Sequence, residues 1–147
     1  MKLFDVNVLI YAHRVDAPRH VLVRDWFESE VNGPAAFGMA ELVLSGFVRI
    51  VTSPKIFANP TPLDLAFTEV EQLRQRPNFV PVRPERRHFD IFMRLCREGN
   101  AKGKLVADAY LAALAIEHGC EWVSFDRDFA RFPSLNWSKP PDGEGGS

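Results

Sequence analysis

Four carboxylates, Asp5, Glu41, Asp108 and Asp126, carry the chemistry that this sequence can support, with Asp128 two residues beyond the last. Glu41 stands between Ala40 and Leu42, and Asp108 between Ala107 and Ala109. A carboxylate in so apolar a frame is costly unless something positive meets it. No lysine or histidine stands beside these acids as an evident ion-pair partner. Crowded together they would repel, and some would hold protons at neutral pH. A divalent cation removes that penalty, and an oxygen-only, acid-rich donor set selects a hard ion, Mg²⁺ or Mn²⁺, over zinc. Such an ion acidifies water and stabilises charge on a reacting phosphate, which is the chemistry of phosphodiester hydrolysis. Asn7, two residues after Asp5, has the place of an amide that orients a carboxylate or a water.

This chemistry requires that distant acids meet, so the elements between them decide the matter. Lys2 to Asp5 reads as a strand and Val6 to His13 as a helix. A helix follows from Pro18 to Gly33, then a strand over Pro34 to Phe37 and a helix over Met39 to Val51. The proline-rich stretch Pro54 to Pro62 reads as a loop, Asp64 to Arg76 as a helix, Phe79 to Val82 as a strand and Glu85 to Arg97 as a helix. Gly99 to Lys104 is a polar loop. Leu105 to His118 forms an alanine-rich helix closed by Gly119, Cys120 to Phe125 a strand, and Asp126 starts a short turn. This alternation predicts an α/β fold: one domain over residues 1–137, with a central, mainly parallel sheet and helices on both faces. Residues 138–147 read as a flexible acidic tail rich in Gly and Pro. In an open parallel sheet, strand C-termini and the helix N-termini that follow share one edge, where ligands bind. All four acids fall on that edge. Each also has a plain structural use: Asp5 and Asp126 as helix caps, Glu41 and Asp108 as complements to helix N-termini.

Composition excludes much else. The chain has 147 residues, 46% hydrophobic and 25% charged, as a single globular domain does. Cys96 and Cys120 are too few and too isolated for a disulfide scaffold or a zinc site. No stretch is long and apolar enough for a membrane span, and the expected location is the cytoplasm. The net charge of −1 excludes polyelectrolyte-style binding of nucleic acid. Residues 1–137 nevertheless carry 17 positive and 17 negative groups, so four carboxylates sequestered on a metal leave a net +4. His13 and Arg14 after the first acid, Lys104 before the third, and Arg86 and Arg87 in the densest basic cluster are the candidate RNA contacts.

Three segments resemble the signatures of PIN domains, most closely the VapC-type toxins of type II toxin–antitoxin systems. They are Phe4-Asp5-Val6-Asn7-Val8-Leu9-Ile10-Tyr11-Ala12, Asp108-Ala109-Tyr110-Leu111-Ala112-Ala113-Leu114-Ala115 and Ser124-Phe125-Asp126-Arg127-Asp128-Phe129. The resemblance implies a Mg²⁺- or Mn²⁺-dependent endoribonuclease that cuts structured RNA such as tRNA or a ribosomal RNA loop. It also implies a homodimer and silencing by a cognate VapB-type antitoxin. It places the catalytic, metal-holding quartet on Asp5, Glu41, Asp108 and Asp126, Glu41 directly or through a water, with Asn7 and Asp128 as accessory positions. Many relatives show Gly-Asn-Leu-Val-Pro-Asp where this chain has Gly103-Lys104-Leu105-Val106-Ala107-Asp108. Two other readings suit an acidic sheet edge: a small Mg²⁺-dependent phosphoesterase, and a non-catalytic module that binds RNA or protein. The first lacks the D-x-D-x-T pattern, and the second has no need of four acids.

Overall fold

The computed structural model describes residues 1–142. Five parallel strands form one sheet in the order β3-β2-β1-β4-β5. In chain order the elements are β1 (Lys2–Phe4), α1 (Val6–His13), α2 (His20–Asn32), β2 (Phe37–Ala40), α3 (Glu41–Val51) and α4 (Leu63–Arg74). Next come β3 (Phe79–Val82), α5 (His88–Glu98), α6 (Lys104–Glu117), β4 (Glu121–Val123), a 3₁₀ turn (Arg127–Arg131) and β5 (Trp137–Ser138). Successive strand residues face opposite sides of a sheet. Leu3 and Phe4 are both buried, as are Trp122 and Val123 and the whole of β2, so helices cover both faces. The described chain is therefore the α/β domain that its alternating pattern predicts.

The chain runs outward from β1 to β2 and β3, then crosses back through α5 and α6 to place β4 on the other side of β1. That reversal creates a crevice beyond the C-terminal ends of β1 and β4. Asp5 follows β1 directly, and Asp126 lies just past β4.

Several boundaries differ from the sequence reading. β2 spans Phe37–Ala40 rather than Pro34 to Phe37, and the sheet holds Gly38 inside the strand. A Cβ built there would lie 2.6 Å from Leu3 Cδ2 and 2.8 Å from Val82 Cγ2. Those atoms belong to both neighbouring strands, so neither can retreat freely. Gly38→Ala should lower unfolding stability by about 1–3 kcal/mol, measurable in urea, through overpacking alone. An unchanged midpoint would show that β1 and β3 yield more easily than this packing implies.

The expected flexible tail begins too early at Ser138. Ser138 completes β5, Pro140 and Asp142 are buried, and Lys139 pairs with Asp142 at 3.1 Å. The rest of that tail, residues 143–147, lies outside the described residues. Both sheet edges are blunt. β3 carries Pro81, which has no N–H to offer, and β5 has two residues followed by Pro140 and Pro141.

Candidate active site

Asp5 is the N-cap of α1, with extended backbone and its Oδ1 accepting the Val6 N–H at 2.7 Å. Its structural use as a cap is therefore real, and it occupies one oxygen only. The other, Oδ2, accepts from Ser124 Oγ at 2.7 Å and from Asn7 Nδ2 at 3.4 Å. Ser124 is fully buried where the chain leaves β4, and its hydroxyl also accepts the Asp126 N–H at 3.0 Å and Asn7 Nδ2 at 3.1 Å. Asn7 returns the tie by accepting the Phe125 N–H at 3.2 Å. Ser124 and Asn7 thus clamp the loop bearing Asp126 onto the start of α1. These bonds fit the orienting place expected of Asn7, and Ser124 shares it although no local pattern marks that serine. Ser124→Ala would leave the Asp126 N–H and one Asp5 oxygen short of a partner, a loss of about 1–3 kcal/mol in stability by denaturant titration.

Asp126 caps the 3₁₀ turn by accepting the Asp128 N–H at 2.9 Å. Asp108, one turn into α6, is buried and faces it. Carboxylate oxygens of Asp108, Asp126 and Asp128 lie within 4.8 Å of one another. Asp5 is near enough to feel two of them. Burial pushes its carboxyl above the ordinary range, the bonds from Ser124 and Val6 oppose that, and the charges on Asp108 and Asp126 raise it further. Burial likewise raises Asp108, against the pull of Lys104 and with the push of Asp126 and Asp128. Partial burial acts upward on Asp126 too, but Lys104 and the Asp128 N–H outweigh it and hold this carboxyl low.

Lys104 corrects the expectation that these acids lack a cationic partner. Its Nζ lies 2.9 Å from Asp108 Oδ2, 2.5 Å from Asp126 Oδ2 and 3.7 Å from Asp128 Oδ2. The signal was legible: Lys104 and Asp108 are four residues apart on one helix face. Its expected RNA contact gives way here to an ion pair inside the acidic group. Glu41 opens α3 on the same sheet edge, but its exposed carboxylate turns to Arg83, with Oε1 at 3.0 Å from Nε and 2.9 Å from the terminal nitrogen. The structure therefore gathers Asp5, Asp108, Asp126 and Asp128 and leaves Glu41 to one side.

The other basic candidates are mostly engaged elsewhere. His13 ends α1, bonds the Leu9 carbonyl and packs against Phe27 and Phe47. Arg14 pairs with Asp16, donates to Thr61 and lies over the Phe57 ring. Neither faces the acids; the chain turns both into the packing around α1. Arg87 donates to the Glu117 carbonyl, nine residues beyond Asp108 on α6 or about 14 Å along its axis. Arg86 is exposed. Arg49, which the sequence reading passed over, lines a groove beside Asp5 with Val6, Leu42, Ile50 and Leu111.

Residues 2–135 match the PIN domain family. The chain belongs to the PIN-domain family. Within it, this PIN domain is of the VapC type. It is 44% identical over 141 residues to Ribonuclease VapC25 of Mycobacterium tuberculosis, covering 96% of this chain and 99% of that protein. It is 41% identical over 144 residues to VapC ribonuclease Mb2897 of Mycobacterium bovis, covering 98% of each. Among solved structures, VapBC2 from Rickettsia felis bound to a promoter DNA fragment matches with a TM-score of 0.67 at 13% identity, covering 94% of this chain and 97% of that one. A toxin–antitoxin complex from Klebsiella pneumoniae matches with a TM-score of 0.62 at 17% identity, covering 97% and 99%. At such identities these two establish the PIN fold. Among the described residues, no helix is long and apolar enough to cross a membrane.

Proposed function

We propose that this PIN domain is a divalent-metal-dependent endoribonuclease, the toxin of a toxin–antitoxin pair, hydrolysing phosphodiester bonds in structured RNA such as tRNA or a ribosomal RNA loop. The observation that carries this reading is the convergence of Asp108, Asp126 and Asp128, with Asp5 near enough to feel the charges of the first two, at the crevice beyond the C-terminal ends of β1 and β4. The names of the relatives, ribonucleases over essentially their whole length, support the choice of RNA. The donor set suits Mg²⁺ or Mn²⁺: carboxylate oxygens alone, converging closely, partly buried, and already drawing an ammonium group among them.

Asp5, Asp108 and Asp126 would hold the ion, with Asp128 as an accessory oxygen. Glu41, on the same edge but paired with Arg83, would contribute through a water. A bound Mg²⁺ or Mn²⁺ supplies Lewis acidity to a phosphate oxygen and makes water more acidic. Ser124 and Asn7 fix the direction of the Asp5 carboxylate, and Arg49 and the exposed Arg127 next to Asp126 offer guanidinium groups to the RNA backbone. The groove beside Asp5, part apolar and part basic, suits an antitoxin segment, and the active species is a homodimer in the cytoplasm. Sequencing RNA 5′ ends after brief expression tests the proposal. The intact chain yields new ends at a few sites and Asp5→Asn yields none; identical end profiles would sink it.

A further inference from the structure

Lys104 sits where a lysine is hard to explain by helix stability. It is the first residue of α6, entered through Gly103 at φ +57°, so its charge lies at the positive end of the helix dipole. Its partner Asp108 lies four residues C-terminal, the less favourable order for a helical ion pair. What offsets this is the acidic group itself. A single ammonium meets one oxygen from each of Asp108, Asp126 and Asp128, the three carboxylates that also converge on one another. The side chain is 65% exposed on a flexible stem, so it can leave without disturbing the core.

We infer that Lys104 is a built-in counter-cation: its ammonium neutralises the acids in the metal-free protein and must swing out before a divalent ion binds. This rests on the metal-site reading above. The ammonium sits on the Oδ2 atoms of Asp108 and Asp126, and a divalent ion drawn to those same oxygens would be repelled by it at contact distance. Metal affinity is then reduced by the fraction of time that the acids are free of the lysine, and an ammonium seated nine-tenths of the time weakens binding about tenfold. With the lysine seated, the metal-free acids are spared their mutual repulsion.

The test is a calorimetric Mn²⁺ titration of the metal-stripped full chain, comparing the unaltered protein with Lys104→Met, Lys104→Arg and Asp108→Asn. Lys104→Met should bind Mn²⁺ about tenfold more tightly and melt at a lower temperature without metal. Lys104→Arg, which keeps the charge, should stay within a few-fold of the unaltered chain, and Asp108→Asn should bind most weakly. Equal affinities for the Lys104→Met and unaltered proteins, or weaker binding by Lys104→Met, would overturn the counter-cation while leaving the metal site standing. Absence of Mn²⁺ binding by every form would remove the site and this inference with it. Should Lys104→Met fail to fold, the unaltered chain still decides: Mn²⁺ should speed acylation of Lys104 relative to Lys102, and an unchanged ratio refutes the displacement.

Discussion

Asp5→Asn and Asp108→Asn proteins should each cleave RNA on the order of 10³-fold more slowly than the unaltered chain under single-turnover conditions, a loss of about 4 kcal/mol in transition-state stabilisation. Neither change alters side-chain size, and each removes one negative oxygen from the group that would hold the ion. The fold should survive, since Asn at position 5 keeps an oxygen for the Val6 N–H. Asp64→Asn, an exposed acid in the first turn of α4, should cleave normally and serves as the control for charge alone. Cleavage by Asp5→Asn within tenfold of the unaltered rate would remove Asp5 from the chemistry and leave it a helix cap.

Saturating Mn²⁺ should raise the melting temperature. At a concentration one hundred times Kd the linkage amounts to about 2.7 kcal/mol, or roughly 5–10 °C for a domain of this size. Asp126→Asn should erase most of that shift. The effect should also fade on acidification, with a sign set by the site. Asp5 and Asp108 hold protons above the ordinary carboxylate range, so in the metal-free protein their ionisation opposes folding as pH rises through those raised values. Metal binding requires both to be ionised, so the gain from Mn²⁺ is largest at neutral pH and shrinks as pH falls through that range. Asp126 acts the other way: its lowered carboxyl supports the fold above the ordinary range and loses that support only in stronger acid. A Mn²⁺ shift equally large at pH 7 and at mild acidity would mean that Asp5 and Asp108 are not among the ligands.

What the sequence revealed and what it hid divide along a physical line. Local signals sufficed for α6, rich in alanine and closed by Gly119, and for the placement of Asp5, Asp108 and Asp126 at one edge, since alternation of strands and helices dictates that edge. Contacts made across the sheet were out of reach. Nothing local marks Gly38 as a strand residue on which β1 and β3 press from both sides. Ser124 is an unremarked hydroxyl until the crossover brings it against Asp5, 119 positions earlier. Glu41 shares the edge by topology, yet the direction of its side chain depends on Arg83 at the end of a neighbouring strand. Arg14 looked available beside the first motif and is instead spent on Asp16, Thr61 and the Phe57 ring. The Lys104–Asp108 pair, by contrast, is visible in the sequence as an i, i+4 spacing on one helix face.

The blunt ends of the sheet bear on how copies of this chain can join. Proline within β3, and two strand residues followed by Pro140 and Pro141 at β5, leave little backbone on either rim for an incoming strand to grip. Self-association by lengthening the sheet is thereby discouraged, and the proposed homodimer would join through helix surfaces such as that of α4, where Leu63, Leu65 and Phe67 expose apolar side chains. Such a union would leave the carboxyl-terminal margin of each sheet open to the long, folded polyanion proposed as substrate.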